Sequence, residues 1–108
     1  MVDESRVAAL QEILKGNPDD AFARYALGLE YSGAGEIDAA LSQFDRLLTA
    51  HPDYTNGYFM AAQTLDRAGR SDESRAMLEK GIESARRTNN RHALTEMEAM
   101  LEELESRG

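Results

Sequence analysis

The chain has 108 residues, of which 42% are hydrophobic, contains no cysteine and carries a formal net charge of −8. This is one domain's worth of sequence with enough apolar content for a core. Missing cysteine excludes a disulfide framework and thiolate zinc sites, and the acidity speaks against nucleic acid or an anionic membrane surface, which are bound through Lys and Arg.

Breakers at Gly16-Asn17-Pro18, Gly33-Ala34-Gly35, Ala50-His51-Pro52, Gly69-Arg70 and Thr88-Asn89-Asn90 divide the chain. The intervening stretches are rich in Ala, Leu, Glu, Arg and Met, with few β-branched residues and no strand-like alternation. Six helices are expected, near 3–15, 19–32, 36–50, 53–67, 71–86 and 90–105, an all-α fold. In the first, Val7, Leu10 and Leu14 recur at helical spacing, with Leu10 and Ile13 expected in the core. The second and fourth are expected to open on Asp19 and Asp53, which follow Pro18 and Pro52, and the fifth opens on Ser71. In the third, Leu41, Phe44 and Leu48 line up. In the last, Ala93, Met97, Met100, Leu101 and Leu104 form one stripe. Loops of about three residues make successive helices antiparallel neighbours. The N-terminus MVDESRVAAL is acidic and has no apolar stretch of signal-peptide length, and no apolar run approaches a membrane span of about 18 residues. A cytoplasmic protein is expected.

NPDDAFARYA begins at Asn17 and HPDYTNGYFM begins 34 residues later, at His51. With Pro18 set over Pro52, Asp19 meets Asp53, Ala34-Gly35 meets Ala68-Gly69, and Asp38 meets Asp72. Size is kept between them: Tyr25 over Phe59, Leu27 over Ala61, Gly28 over Ala62, Tyr31 over Leu65, Ala40 over Ser74, Phe44 over Leu78. The small residues allow two helix backbones to approach, and the large ones fill the space around them. One such pair cannot bury its own apolar face; stacked pairs can.

These residues resemble the tetratricopeptide repeat (TPR) family, whose 34-residue pattern runs W-x2-L-G-x2-Y…A-x3-F-x2-A…P. The first repeat shows Arg24, Leu27-Gly28, Tyr31, Ala40, Phe44, Leu47 and Pro52. The second shows Tyr58, Ala61-Ala62, Leu65, Ser74, Leu78, Gly81 and Arg86, matching by size class. The resemblance implies a single domain, 1–108, coiled as a right-handed superhelix. Its parts would be an N-terminal helix (1–17), repeats 18–51 and 52–86, and a capping helix (89–106), where Thr95-Glu96 stand in place of Leu-Gly.

It also implies an adaptor, not an enzyme, that binds a peptide or partner helix in a concave groove lined by the first helix of each pair. The inward positions are Phe22, Tyr25 and Leu29, then Asn56, Phe59, Met60, Gln63, Asp66 and Arg67, then Met97 in the last helix. Tyr25 and Phe59 are open to a second reading, as packing between helices, and Met97 and Met100 are open between sealing the stack and lining the groove. Self-association through the groove or the last helix is the alternative function. In chaperone-binding members a Lys and Asn clamp holds a C-terminal carboxylate. Here its positions carry Tyr25, Leu29, Met60 and Leu94, so that peptide class is not expected.

No cofactor or metal site is expected. Gly28, Gly33 and Gly35 lack the Lys-Ser/Thr of a phosphate loop and have no preceding strand. His51 and His92 read as exposed polar residues, and Glu96, Glu98, Glu102, Glu103 and Glu105 as a solvated helix face. Met77 reads as core.

Overall fold

The computed structural model describes residues 1–107, in which six α-helices and no strand are present. They are α1 (Glu4–Gly16), α2 (Ala21–Gly33), α3 (Ile37–Ala50), α4 (Thr55–Arg67), α5 (Ser71–Arg87) and α6 (Arg91–Arg107). No helix of the described residues is long and apolar enough to cross a membrane. The chain divides into two compact units, Met1–His51 and the part from Pro52 onward.

In the first unit, α1 lays Val7, Leu10 and Leu14 against Ala23, Leu27 and Tyr31 of α2. Ile13, expected in this core, is 41% exposed. Val7, Leu10 and Leu14 already complete the stripe facing α2, and Ile13 is rotated out of it. α2 begins two residues after the expected start. Asp20, not Asp19, is the cap: its carboxylate accepts the Ala23 N–H at 2.9 Å. Pro18 and Asp19 instead form a turn, in which the Asn17 side chain accepts the Asp19 N–H at 3.2 Å. His51 is half-buried, and its Nε2 donates to the Asp19 carbonyl, tying the end of α3 to this turn.

α2 and α3 meet at Gly28. A Cβ there would lie 2.5 Å from Cε1 of Phe44, whose ring is fully buried. The buried Arg24 stands where the family pattern has an aromatic residue. It donates from Nη1 to Gln43 Oε1 at 2.9 Å and from Nε to the Pro18 carbonyl at 3.2 Å. Burial lowers the guanidinium pKa without removing its charge. The turn to α3 needs a left-handed residue, supplied by Gly35 at φ 78°. Gly69, at φ 77°, closes α4 in the same way.

In the second unit α4 and α5 bury Tyr58, Ala61, Ala62, Thr64 and Leu65 with Ser74, Leu78, Gly81, Ile82 and Ala85. Small polar groups in this seam are paired. Ser74 Oγ donates to the Ala62 carbonyl at 2.7 Å, and the Thr55 and Ser84 hydroxyls lie 2.8 Å apart. α4 starts at Thr55, again two residues beyond the Pro-Asp pair. Tyr58 occupies the repeat position of Arg24 and makes the equivalent contact, its hydroxyl donating to the Pro52 carbonyl at 2.8 Å. Arg87 holds Asp53 from α5, with Nε 2.8 Å from the carboxylate. The recurring Pro-Asp pair is therefore a turn whose proline carbonyl is taken by the residue six positions on.

Burial pushes the Tyr58 phenol pKa above its ordinary value of 10.0, and Tyr54 moves the same way. A raised pKa means the folded state disfavours the phenolate. The associated stability is intact below pH 10 and is lost as pH rises through the folded-state value. Tyr58→Phe is expected to cost about 1 kcal/mol at neutral pH through the lost hydrogen bond. It should also flatten part of the alkaline decline, so the wild-type and variant urea midpoints converge above pH 10. Midpoints that stay equally far apart at neutral and alkaline pH would refute the titration argument.

α6 is capped by Asn90, which accepts the Ala93 N–H at 3.1 Å. It buries Ala93, Met97 and Leu104. Met97 packs on Gly81, where a Cβ would sit 2.5 Å from its sulfur and 2.7 Å from Cβ of Tyr58. Met77 is only half-buried, outside the core where it was expected.

Candidate functional site

α4 and α6 lie side by side and leave a groove of about 620 Å³. Phe59, Gln63, Asp66 and Arg67 line it from α4, and Glu96, Ala99, Met100 and Glu103 line it from α6. The spacing follows from the helix repeat: on each helix these residues recur every three to four positions and so share one face. Phe59 and Met100 are half-buried, exposing part of an aromatic and a thioether side chain on the floor. The rest is polar. Arg107 reaches back over one end, 3.3 Å from the Asp66 carboxylate and 3.5 Å from Glu103. His92 lies 3.2 Å from Glu96 at the other. Apolar footholds ringed by polar and charged side chains suit the capture of a side chain and its backbone. Among the described residues no group of three or more His, Asp or Glu could hold a metal ion.

The structure brings together Phe59, Gln63, Asp66 and Arg67 of the expected groove. Of the others on the second unit, Asn56, Met60 and Met97 lie outside it. Asn56 lies in a polar recess of about 600 Å³ at the start of α4, with Asp53, Asn89 and Arg91. Met60 is half-buried beside the groove without lining it. Met97 is a correction: it is fully buried on Gly81 and belongs to the α5–α6 core. On α2, in the first unit, Phe22 is 64% exposed while Tyr25 and Leu29 are half-buried.

Of the α6 lining, sequence reasoning singled out Met100 as a candidate and missed Glu96, Ala99 and Glu103. The 34-residue period, carried onward, misplaces α6. The helices α2, α4 and α6 start at 21, 55 and 91, so the second step is 36 residues because α5 is longer than α3. With the step corrected, Leu27, Ala61 and Met97 are each the seventh residue of their helix, and Gly28, Ala62 and Glu98 each the eighth. The Leu-Gly places of α6 therefore hold Met97-Glu98, not Thr95-Glu96.

The tetratricopeptide repeat profile matches residues 31–97, and a second profile of the same description matches residues 7–53. The chain belongs to the tetratricopeptide repeat family. A TPR repeat-containing protein of Pseudomonas aeruginosa is 26% identical over 99 residues, covering 92% of this chain and 94% of that one. The solution structure of a TPR domain protein from Salinibacter ruber superposes with a TM-score of 0.77 at 30% identity, over 83% of this chain and 91% of that one. The type III secretion translocator chaperone SycD of Yersinia enterocolitica superposes with a TM-score of 0.86 at 19% identity, over 96% of this chain and 72% of its own, a likeness of fold. As in other TPR proteins, the helix pairs build a module of the kind that mediates protein–protein interaction.

Proposed function

We propose that this TPR protein is a cytoplasmic adaptor that binds a protein segment in the groove between α4 and α6, with Phe59 as its anchor. In this reading α2–α3 and α4–α5 are the two complete repeats of a single domain, and α1 and α6 flank them. The observation that carries it is the half-buried Phe59 beside Met100, on a floor that the polar side chains of Gln63, Asp66, Arg67, Glu96 and Glu103 surround without covering. A core aromatic would be sealed by apolar neighbours, whereas a binding anchor sits partly open until its partner arrives. The groove charges are held by neighbouring side chains at its ends, an arrangement for docking and not for chemistry.

Phe59→Ala separates binding from stability. It is expected to lower stability by less than about 1.5 kcal/mol, since only part of the ring is withdrawn from water. It should weaken a groove ligand by about 2 kcal/mol, roughly 30-fold in Kd. Peptides selected from a random display library on the wild type, counter-selected on Phe59→Ala and measured by calorimetry, supply the ligand. A stability loss above about 3 kcal/mol would make Phe59 a core residue and end the reading. A concentration-dependent dimer that Phe59→Ala dissolves, seen by sedimentation, would replace the foreign partner with a second copy.

A further inference from the structure

α2 and α4 each present their eighth residue, Gly28 or Ala62, to the helix that follows. Gly28 faces Phe44 of α3, and the Ala62 carbonyl accepts from Ser74 of α5. α6 is the next helix of the same kind, and no helix follows it within the described residues. Its corresponding face borders a recess of about 440 Å³ beside α5. Ile82 and Leu101 form the floor, and Glu79, Arg86, Glu98, Glu102 and Glu105 form the walls. Leu101, eleventh in α6 as Tyr31 and Leu65 are in α2 and α4, is half-buried like Tyr31, while Leu65 is buried.

The residues that differ from the earlier repeats define what fits. Glu98 replaces the small residue, so a helix cannot settle as closely as α3 settles on Gly28. Four carboxylates surround the floor against one guanidinium, and that one, Arg86, is already engaged by Glu98 at 3.5 Å. A second copy of this chain would bring a net charge of −8 to an acidic face. We infer that the recess between α5 and α6 docks a basic amphipathic helix of a partner protein, one apolar side chain resting on Ile82 and Leu101 and flanking Lys or Arg residues reaching Glu79, Glu98, Glu102 and Glu105. This site is separate from the α4–α6 groove and shares no lining residue with it.

The probe is a fluorescein-labelled synthetic helix of the length of α3, 14 residues, with Leu and Ala at helical spacing and Lys elsewhere. A control peptide carries Glu in place of each Lys. Anisotropy titration at about 0.1 M salt should show binding of the Lys peptide and not of the Glu peptide. The double variant Glu98→Lys, Glu102→Lys should weaken binding at least about ten-fold, and Leu101→Ala should weaken it several-fold. Two comparisons should leave the affinity unchanged: Phe59→Ala, which empties the other groove of its anchor, and Glu36→Lys with Asp45→Lys, which changes net charge equally on α3 and its cap. The idea is overturned by any of three results. These are a Kd weaker than about 1 mM, equal loss in the two charge-reversed variants, or amide shifts on titration that map to Phe59 and Met100 instead of Ile82 and Leu101.

Discussion

Ending the chain after Thr88 is expected to abolish cooperative unfolding of the second unit and to make the protein aggregate at concentrations where the full chain stays dispersed. The cause is the loss of α6. Met97 and Leu104 are removed from buried positions, and each is worth about 1.5–3 kcal/mol in burial alone. Together they come to about 3–6 kcal/mol, comparable with the lower end of a small domain's margin of about 5–15 kcal/mol. The cut also uncovers Gly81, on which Met97 packs, leaving an apolar strip along α5. A terminal helix with a polar outer face is what keeps a stacked array soluble. Met97→Ala separates the two effects: it keeps the outer face of α6 and should cost about 2–5 kcal/mol without aggregation. Circular dichroism melts and light scattering on the three proteins decide the matter. A truncated chain that remains monomeric and melts with the full-length protein would show that α6 is not a cap.

Gly28→Leu is expected to be the most damaging single substitution in the first unit. A glycine inside a helix costs about 1 kcal/mol relative to alanine, so its place in the middle of α2 implies a contact that needs the space. That contact is the Phe44 ring, with three of its carbons 2.5 to 2.8 Å from where a Cβ would stand. The ring is enclosed and cannot swing away into solvent. Overpacking typically costs about 1–3 kcal/mol, and Gly28→Leu should reach or exceed the upper figure. The second repeat indicates the remedy, since it carries Ala62 and Leu78 at the positions of Gly28 and Phe44. Gly28→Ala alone should therefore destabilise, and Gly28→Ala with Phe44→Leu should recover most of the loss. Equal and additive costs in the double variant would mean that the two residues do not share the space described, because contacting residues deviate from additivity.

The small-large exchange between repeats is why the fold was legible in the sequence. The period fixed the helix pairs and their order, and apolar spacing placed Leu10, Leu27 and Phe44 inside. What it could not fix was phase at the helix ends. Pro18-Asp19 and Pro52-Asp53 look like first-turn residues but form turns, because a hydrogen-bonding partner six residues on claims each proline carbonyl. The longer α5 then shifted α6 by two positions. A shift of two residues turns a helix face by about 200°, enough to put Ala99 instead of Met97 at the place of Gln63 and to hide the recess beside Glu98. Phe59, Gln63, Asp66 and Arg67 were legible as one lining because they lie on α4, ahead of the change in step.

The pairing of neighbours along the chain has a consequence for synthesis. The α1–α2 core of Leu10, Ala23 and Leu27 is drawn from the first 27 residues, and α3 adds Phe44 and Leu47 soon after. At a translation rate of about 5–20 residues per second, this unit is finished while the rest is still being made. Contacts so close in sequence form in microseconds to milliseconds, far faster than the ribosome adds the next residue. Each earlier pair therefore closes as soon as it is made, and the longest exposure falls after α5 is complete, when its open strip waits about 1–4 s for the chain to reach the end of α6.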